Sequence, residues 1–478
     1  MKLQILSHAG LRINAAGAEL LCDPWLIGSC YWRAWWNFPP VKQATIDSLA
    51  PTAIYLTHIH WDHFQGPSLK LFSKETLLLV PSGNYDRIKR DLNSMGYKNV
   101  VELNHGQSYQ LADNFKITSY HFGPFLDSAV VIEAEDTVIF NANDAKFMGL
   151  PLKQIIRNHP KIDFVLRSHS SANSRLCYEY MDDPKKAVDD IDQYIKNFAD
   201  FCRSTGARYA VPFASNHCFL HKEVIGFNNT IQTPYMVQEY FQRKGIVSPE
   251  LKIMVSGDSW SSDAGFDISE HDYFADREGQ LLRYRDEVSE KLEQSYLKEE
   301  KTKIRLGAVE KYFANFSQSI PWVLRKSLFK GVEYLYVLTA GENITRIAVN
   351  VGTGAVREIE GSIEAFDIQI HTSAMIFQQC IALDLFSHLA ISKRVVYKVT
   401  RRSQKKMALL NLMFNFYEYE IFPLSNNFSA RFFSNWARRW RELFLYASLV
   451  FDYVLTRRFD QAKYLSIGHG LPAVGNKV

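Results

Sequence analysis

The chain of 478 residues carries 55 basic and 51 acidic residues, a formal net charge of +4, with 47% hydrophobic and 22% charged positions. That length accommodates two or three domains of ordinary globular composition, and so small a charge excludes a general affinity for nucleic acid. The six cysteines are scattered without a C-x-x-C or C-x-H pair, which excludes a zinc knuckle or an iron–sulfur site and points to reduced thiols in a cytosolic protein.

In chain order, "MKLQILSHAG" reads as a first strand rather than a signal peptide, and no run of 18 apolar residues is present to span a membrane. "AELLCDPW", "TAIYLTH" and "TLLLVPS" read as strands, with a helix expected from Pro67 and another over "NYDRIKRDLNSMG". Three further strands follow in "FKITSYHF", "SAVVIEA" and "TVIFNAND", and a fourth in "DFVLRSH". Asp183 and Pro184 open a long helix that stops at Gly206, and "ARYAVPFAS" returns as a strand. This alternation over residues 1–262 predicts layered α/β structure. Residues 263–304 are polar and charged and read as a solvated helical linker. Residues 305–425 read as a smaller α+β unit, with strands at "VEYLYVLT", "NITRIAVNVG" and "FDIQIHT" and one buried helix over "SAMIFQQCIALDLFSHLA". Residues 426–478 form an aromatic, basic, helical tail.

The densest chemistry is "LTHIHWDHFQG". Three of the 14 histidines and one aspartate fall within six positions, directly after an apolar strand. His58 and His60 are two apart, so on extended backbone they leave the same face. Asp62 and His63 follow at the turn. Four such groups can converge on one or two cations, and imidazole with carboxylate suits zinc first, with iron or manganese as alternatives. This H-x-H-x-D-H pattern resembles the metal motif of the metallo-β-lactamase superfamily, which implies an αββα sandwich and a dinuclear centre.

A dinuclear centre needs further ligands from later strand ends, including a carboxylate that bridges both ions. Asp144 in "TVIFNANDAKF" ends an apolar strand where the superfamily usually carries F-x-G-D; here Asn143 replaces that glycine. His121 in "TSYHFGPFLD" is the expected histidine from the preceding loop, with Asp127 its rival. The last histidine is one of His169, His217 and His221, while His8 and His105 read as structural and His159 as solvated.

Several stretches are similar to the metallo-β-lactamase-like part of CMP-N-acetylneuraminate hydroxylases: "LLCDPWLIGSCYWRAWW", "THIHWDH", "FLDSAVVIEAEDTVIFNANDA" and "YAVPFASNHCFLH", continuing into "IHTSAMIFQQCIALDLFSHLAISKRVVYKVTRR". The resemblance implies a metal-dependent enzyme and favours His221 as the last ligand. Those hydroxylases carry a Rieske domain whose paired cysteine–histidine ligands have no counterpart pattern here, so an oxygenase of this kind would draw on a separate electron donor.

Two activities follow as expectations. The first is hydrolysis of an anionic ester, phosphodiester or amide, lipid- or sugar-linked, by water on two metals, with Asp62 orienting that water. The alternative is iron-dependent hydroxylation. A non-catalytic, metal-stabilised binding protein is the third reading. Tyr31, Trp32, Trp35 and Trp36 around Arg33 offer an aromatic wall with a cation, or a packing surface between the two units. The tail, with Arg431, Arg438, Arg439 and Arg441 among Phe and Trp, suits peripheral contact with an anionic membrane, or a helix docked on the first unit with its arginines in solvent.

Overall fold

The paired strands Lys2–Ile5, Leu11–Ala15 and Ala18–Cys22 begin an eight-stranded sheet. The computed structural model describes residues 1–170, 172, 174–183, 192–270, 273–456 and 461–465. Along that first sheet the antiparallel start gives way to parallel strands Ala53–Tyr55, Leu77–Pro81 and Val100–Leu103. Opposite it lies a seven-stranded sheet. Its strands Gln107–Ala112, Phe115–Phe122, Asp127–Ala134 and Thr137–Asn143 run antiparallel to one another, and Phe164–Ser168 and Tyr209–Phe213 continue it in parallel.

Side chains of both sheets fill the space between them, among them Leu3, Leu20, Tyr55, Ile117, Val130 and Leu166. Each outer face is covered by helices because each sheet is apolar on both sides. Ile88 and Leu92 of the helix Arg87–Ser94 cover one. Leu152 of Gly149–Asn158, Phe198 of Asp192–Thr205 and Val237 of Pro234–Arg243 cover the other. The result is the αββα sandwich expected from the motif.

A six-stranded sheet organises the later chain, with helices Leu306–Ser319, Ala374–Leu383 and Gln404–Glu418. Its edge strand, Tyr178–Tyr180, comes from the earlier part of the chain and runs parallel to Val395–Val399. A division at residue 262 therefore cuts through shared sheet and core. The aromatic run of the first unit, Tyr31 to Trp35, packs inside the same apolar cluster as Phe313, Phe377 and Phe414.

Several expectations change in the fold. The helix expected from Pro67 is a single turn, Gly66–Leu69, with Gln65 capping Ser68. The long buried helix after Ser373 breaks at Asp384, whose left-handed backbone (φ 52°) ends one helix before Ser387–Ile391 begins. The linker forms two helices, Arg277–Glu287 and Ser289–Glu300, and is not merely solvated. Leu292 and Tyr296 pack on Trp36, Phe38 and Leu220. Glu299 pairs with buried Arg394 at 2.7 Å. The opening of the helix at Asp183–Pro184 lies largely outside the described residues, as does the end of the tail.

The described tail is docked. Leu445 enters the core beside the helix Gly149–Asn158. Arg431 pairs with Glu102, and buried Arg439 pairs with Glu442 at 2.7 Å. Of Arg431, Arg438, Arg439 and Arg441, two are therefore held in ion pairs rather than in solvent. Among the described residues no helix is long and apolar enough to cross a membrane.

Candidate metal centre

The motif loop leaves the sheet at Tyr55 and turns through residues 56–65 before the capped turn at Gly66. Asp23, at the end of a neighbouring strand, anchors it. Its carboxylate accepts from Thr57 N at 2.8 Å and Thr57 Oγ1 at 2.6 Å, and lies 2.7 Å from His63 Nδ1. That contact fixes the His63 ring and aims Nε2 inward, the arrangement that orients metal-binding histidines.

His63 Nε2 then stands 3.2 Å from Asp144 Oδ2 and 3.5 Å from Asp62 Oδ2. His58 Nε2 and His60 Nδ1 face each other at 2.9 Å. Asp62 Oδ2 is also 3.1 Å from His8 Nε2, and its Oδ1 accepts from Tyr31 Oη at 2.5 Å. Among the described residues, two sets of three donor atoms each lie within 4.8 Å of one another: His8, Asp62 and His63, and His58, His63 and Asp144.

Electrostatics sorts these groups by charge. Burial, helped by His63, pushes His58 down to about 3; burial, helped by His58, pushes His60 down to about 4. Both rings are thus neutral near pH 7, with lone pairs free to coordinate. Burial alone would raise Asp62 and Asp144, but the imidazole of His63 holds both below the usual carboxylate range. Burial raises Asp127, which faces His60 and Asp144 across the same cavity.

The carboxylates of Asp23 and Asp62 are buried and those of Asp127 and Asp144 half-buried around these histidines. Carboxylates gathered this closely out of water are costly without a cation to pair with. His217 Nδ1 is buried with no hydrogen-bond partner among the described residues. The donor chemistry fits divalent metal, which His58, His60, Asp62, His63 and Asp144 would hold.

Sequence reasoning and structure part at four places. His121 lies off the cluster. In its hairpin register it pairs with Ser128, and its ring sits 3.2 Å from Ser119 Oγ and beside His105. Asp127, one register position along, takes the cavity side. His221 faces away, 3.8 Å from Glu299 and edge-on to Tyr296, because the chain turns after the short strand His217–Phe219. His217 is the histidine brought to the cavity, stacked on Trp35 at 3.7 Å between ring centroids and 5.3 Å from His8. His8, which reads as structural in the sequence, stands beside Asp62; its only local signal is a histidine in the turn after the first strand. His159 is buried against Tyr120 rather than solvated.

The second unit closes over the centre. Tyr419 Oη approaches His60 Nε2 at 3.4 Å, and the His388 ring is 5.5 Å from that of His60. Tyr31, Trp35, Lys146, Ser170, Asn411 and Asn415 help line a cavity of about 440 Å3 above the donors. The aromatic run chiefly packs the two units together, and two of its rings reach the cavity without the Arg33 cation. Trp32 Nε1 donates to Gln379 at 2.7 Å and Trp35 Nε1 to the Ile391 carbonyl at 3.1 Å, joining the units. Tyr31 and Trp35 also wall the cavity. Arg33 lines a neighbouring cleft instead. Backbone strain collects here: Asp23, Tyr31, Trp32, Arg33, Asn143 and Ala214 all have positive φ, the kind of outlier that concentrates at functional sites.

Fold and donor set together define a metallo-β-lactamase-like protein. No family model matches the chain. A "Putative Rieske 2Fe-2S iron-sulfur protein" of Mycolicibacterium smegmatis is 27% identical over 245 residues, 48% of this chain and 46% of that protein. The cytidine monophosphate-N-acetylneuraminic acid hydroxylase of Pan troglodytes is 27% identical over 151 residues, 30% of this chain and 26% of that protein. The chain thus spans about half the length, or less, of the curated relatives it matches. Among solved structures, an isothiocyanate hydrolase from Delia radicum gut bacteria superposes with a TM-score of 0.41 at 16% identity, covering 55% of this chain and 99% of that one.

Proposed function

We propose that the protein is a dinuclear non-haem iron enzyme that hydroxylates a polar, anionic small molecule. The observation that carries this reading is the ligand set around His58 and His60. Where a zinc hydrolase of three histidines would need His121, the cavity offers Asp127, and two histidines with carboxylates suit iron with open positions. The hydroxylase and Rieske-protein names of the curated relatives support the same direction.

When bound, iron supplies the redox chemistry: one oxygen atom of dioxygen enters a C–H bond and the other leaves as water, with two electrons and two protons from an external reductant. The chain's own residues do the rest. Lys146 sits on the cavity wall, where it attracts an anionic group. Asn411, Asn415 and Ser170 offer hydrogen bonds to a polar body. Tyr31 holds Asp62 in place through its hydroxyl, and the Trp35–His217 stack fixes the last imidazole. Phe386 and Tyr397 of the second unit narrow the cavity and limit bulk water.

Hydrolysis is the second reading. What favours it is Asp62, which stands against His8 and His63 at the cavity floor, placed to orient an attacking water. Metal analysis of protein purified without added metal, with an oxygen-uptake trace, separates the two. Iron with oxygen uptake on adding a reductant supports the hydroxylase. Zinc or manganese without uptake, but with cleavage of a nitrophenyl phosphodiester, replaces it with the hydrolase.

A further inference from the structure

The tail helix Trp440–Thr456 is apolar on two opposite faces, and only one of them is used. Leu445 and the partly buried Leu449 pack into the sandwich, and Glu442 turns inward to Arg439. The other face is bare. Leu443 is 47% exposed, Phe444 59%, Val450 63%, Phe451 63%, Val454 59% and Leu455 65%. With the exposed Ala447 and Ser448 between the first pair and the rest, these positions follow three- and four-residue steps and form one continuous stripe along the helix. Among the described residues nothing covers it.

We propose that this stripe seats the protein on an anionic lipid surface, with the helix lying in the plane of the interface. The stripe carries no carboxylate: Glu442 is buried, and Asp452 is engaged by Lys463 at 2.6 Å. The exposed hydroxyl of Ser448 donates to the Phe444 carbonyl of its own helix at 2.9 Å. Basic groups stand at its start. Arg438 is exposed, and the Arg441 guanidinium lies 4.4 Å over the Trp440 ring, itself 45% exposed. An aromatic ring topped by a cation at the rim of an apolar stripe matches the boundary between headgroups and acyl chains.

A second copy of the chain is the competing occupant, and the stripe suits it less. At roughly 150–250 Å2 per large side chain, about half exposed, the stripe offers on the order of 700 Å2. That exceeds the patch usual on a monomer but falls short of the ~800 Å2 per partner of a standard interface. It also offers almost no hydrogen-bonding group, whereas protein interfaces carry about one hydrogen bond per 100–200 Å2.

The full chain is sedimented with phosphatidylcholine vesicles and with mixed phosphatidylglycerol–phosphatidylcholine vesicles, alongside Phe444→Glu/Phe451→Glu and Arg438→Glu/Arg441→Glu. Light scattering without vesicles gives the oligomeric state. Binding to the mixed vesicles is expected, weakened on the order of tenfold or more by the Phe pair and reduced toward the phosphatidylcholine level by the Arg pair. Both variants change only partly or fully exposed residues, and an unchanged melting curve confirms that they fold. Failure to sediment with either vesicle overturns the proposal. So does a dimer that the Phe pair dissociates, which assigns the stripe to a second copy, and so does equal binding to both vesicles, which removes the anionic surface.

Discussion

Removing the Glu442 carboxylate while keeping Arg439 tests how the tail supports the centre. Arg439 is 1% exposed. Its guanidinium donates to Glu442 at 2.7–2.9 Å and to the Gly123 carbonyl at 2.7 Å, while Glu442 accepts from Gly123 N at 2.8 Å. The pair thus grips both backbone groups of Gly123, four residues before Asp127. Glu442→Ala leaves a buried cation without its counter-ion, a change that costs about 3–5 kcal/mol. Arg439→Met/Glu442→Leu removes both charges and is expected to restore stability to within about 1–2 kcal/mol of the parent, because apolar replacements of buried pairs are close to neutral. Urea unfolding followed by tryptophan fluorescence reads both. The double variant nonetheless frees Gly123, so it is expected to bind metal more weakly than the parent at equal stability. A Glu442→Ala loss under about 1 kcal/mol, or a double variant no better than the single, would refute the account of a buried ion-pair clamp.

Three further outcomes are expected. His58→Ala and His60→Ala should each lose metal, while His159→Ala, whose ring bonds Tyr120 at 2.9 Å far from the donors, should keep full metal content and lose only stability; elemental analysis of the three proteins decides it. The metal-free protein should lose stability on acidification from about pH 6.5 to 4, by urea titration at several pH values. Burial holds His58 and His169 at about 3 and His60 and His105 at about 4, so across that window the unfolded chain binds protons that the fold does not. Glu418, raised by burial to about 8, and Asp127, also raised by burial, act in the opposite sense, while burial of His121, His217 and His388 adds to the four, so a flat or inverted profile would contradict the burial of these rings. Gly149→Ala should cost roughly 1–2 kcal/mol, because its φ of +58° disfavours a side chain and a Cβ would stand 2.9 Å from Leu445; an unchanged melting temperature would argue against the docked tail.

What could be seen in the sequence was what is local. His58, His60, Asp62 and His63 share one turn, so their convergence follows from spacing alone, and Asp144 announces itself as the polar end of an apolar strand. What could not be seen depends on register and on distant chain. His121 and Asp127 are six apart in a hairpin, and a shift of one position decides which faces the cavity. His8 reaches Asp62 only because the turn that carries it joins Lys2–Ile5 to Leu11–Ala15 in the middle of the first sheet. His217 and His221 are separated by a turn whose direction is set by Trp35–Asn37, its pairing partner. The second unit's share in the site, through Tyr419 and His388, has no signature in either stretch. The layered α/β class was legible from alternating strands and helices and the sandwich from the motif's resemblance, whereas the break at Asp384 was not, since its left-handed backbone carries no glycine to mark it.

The parallel pairing of Tyr178–Tyr180 with Val395–Val399 bears on how this protein can be taken apart. A gene fragment encoding the later sheet alone would leave the flank of Val395–Val399 unsatisfied, a row of amide and carbonyl groups open to pairing with any extended chain. Such a fragment is expected to aggregate. The earlier fragment would in turn expose Trp32 and Trp35, now sealed inside the shared cluster. The earlier chain thus completes both the edge and the core of the later sheet, so the two are expected to fold as one unit.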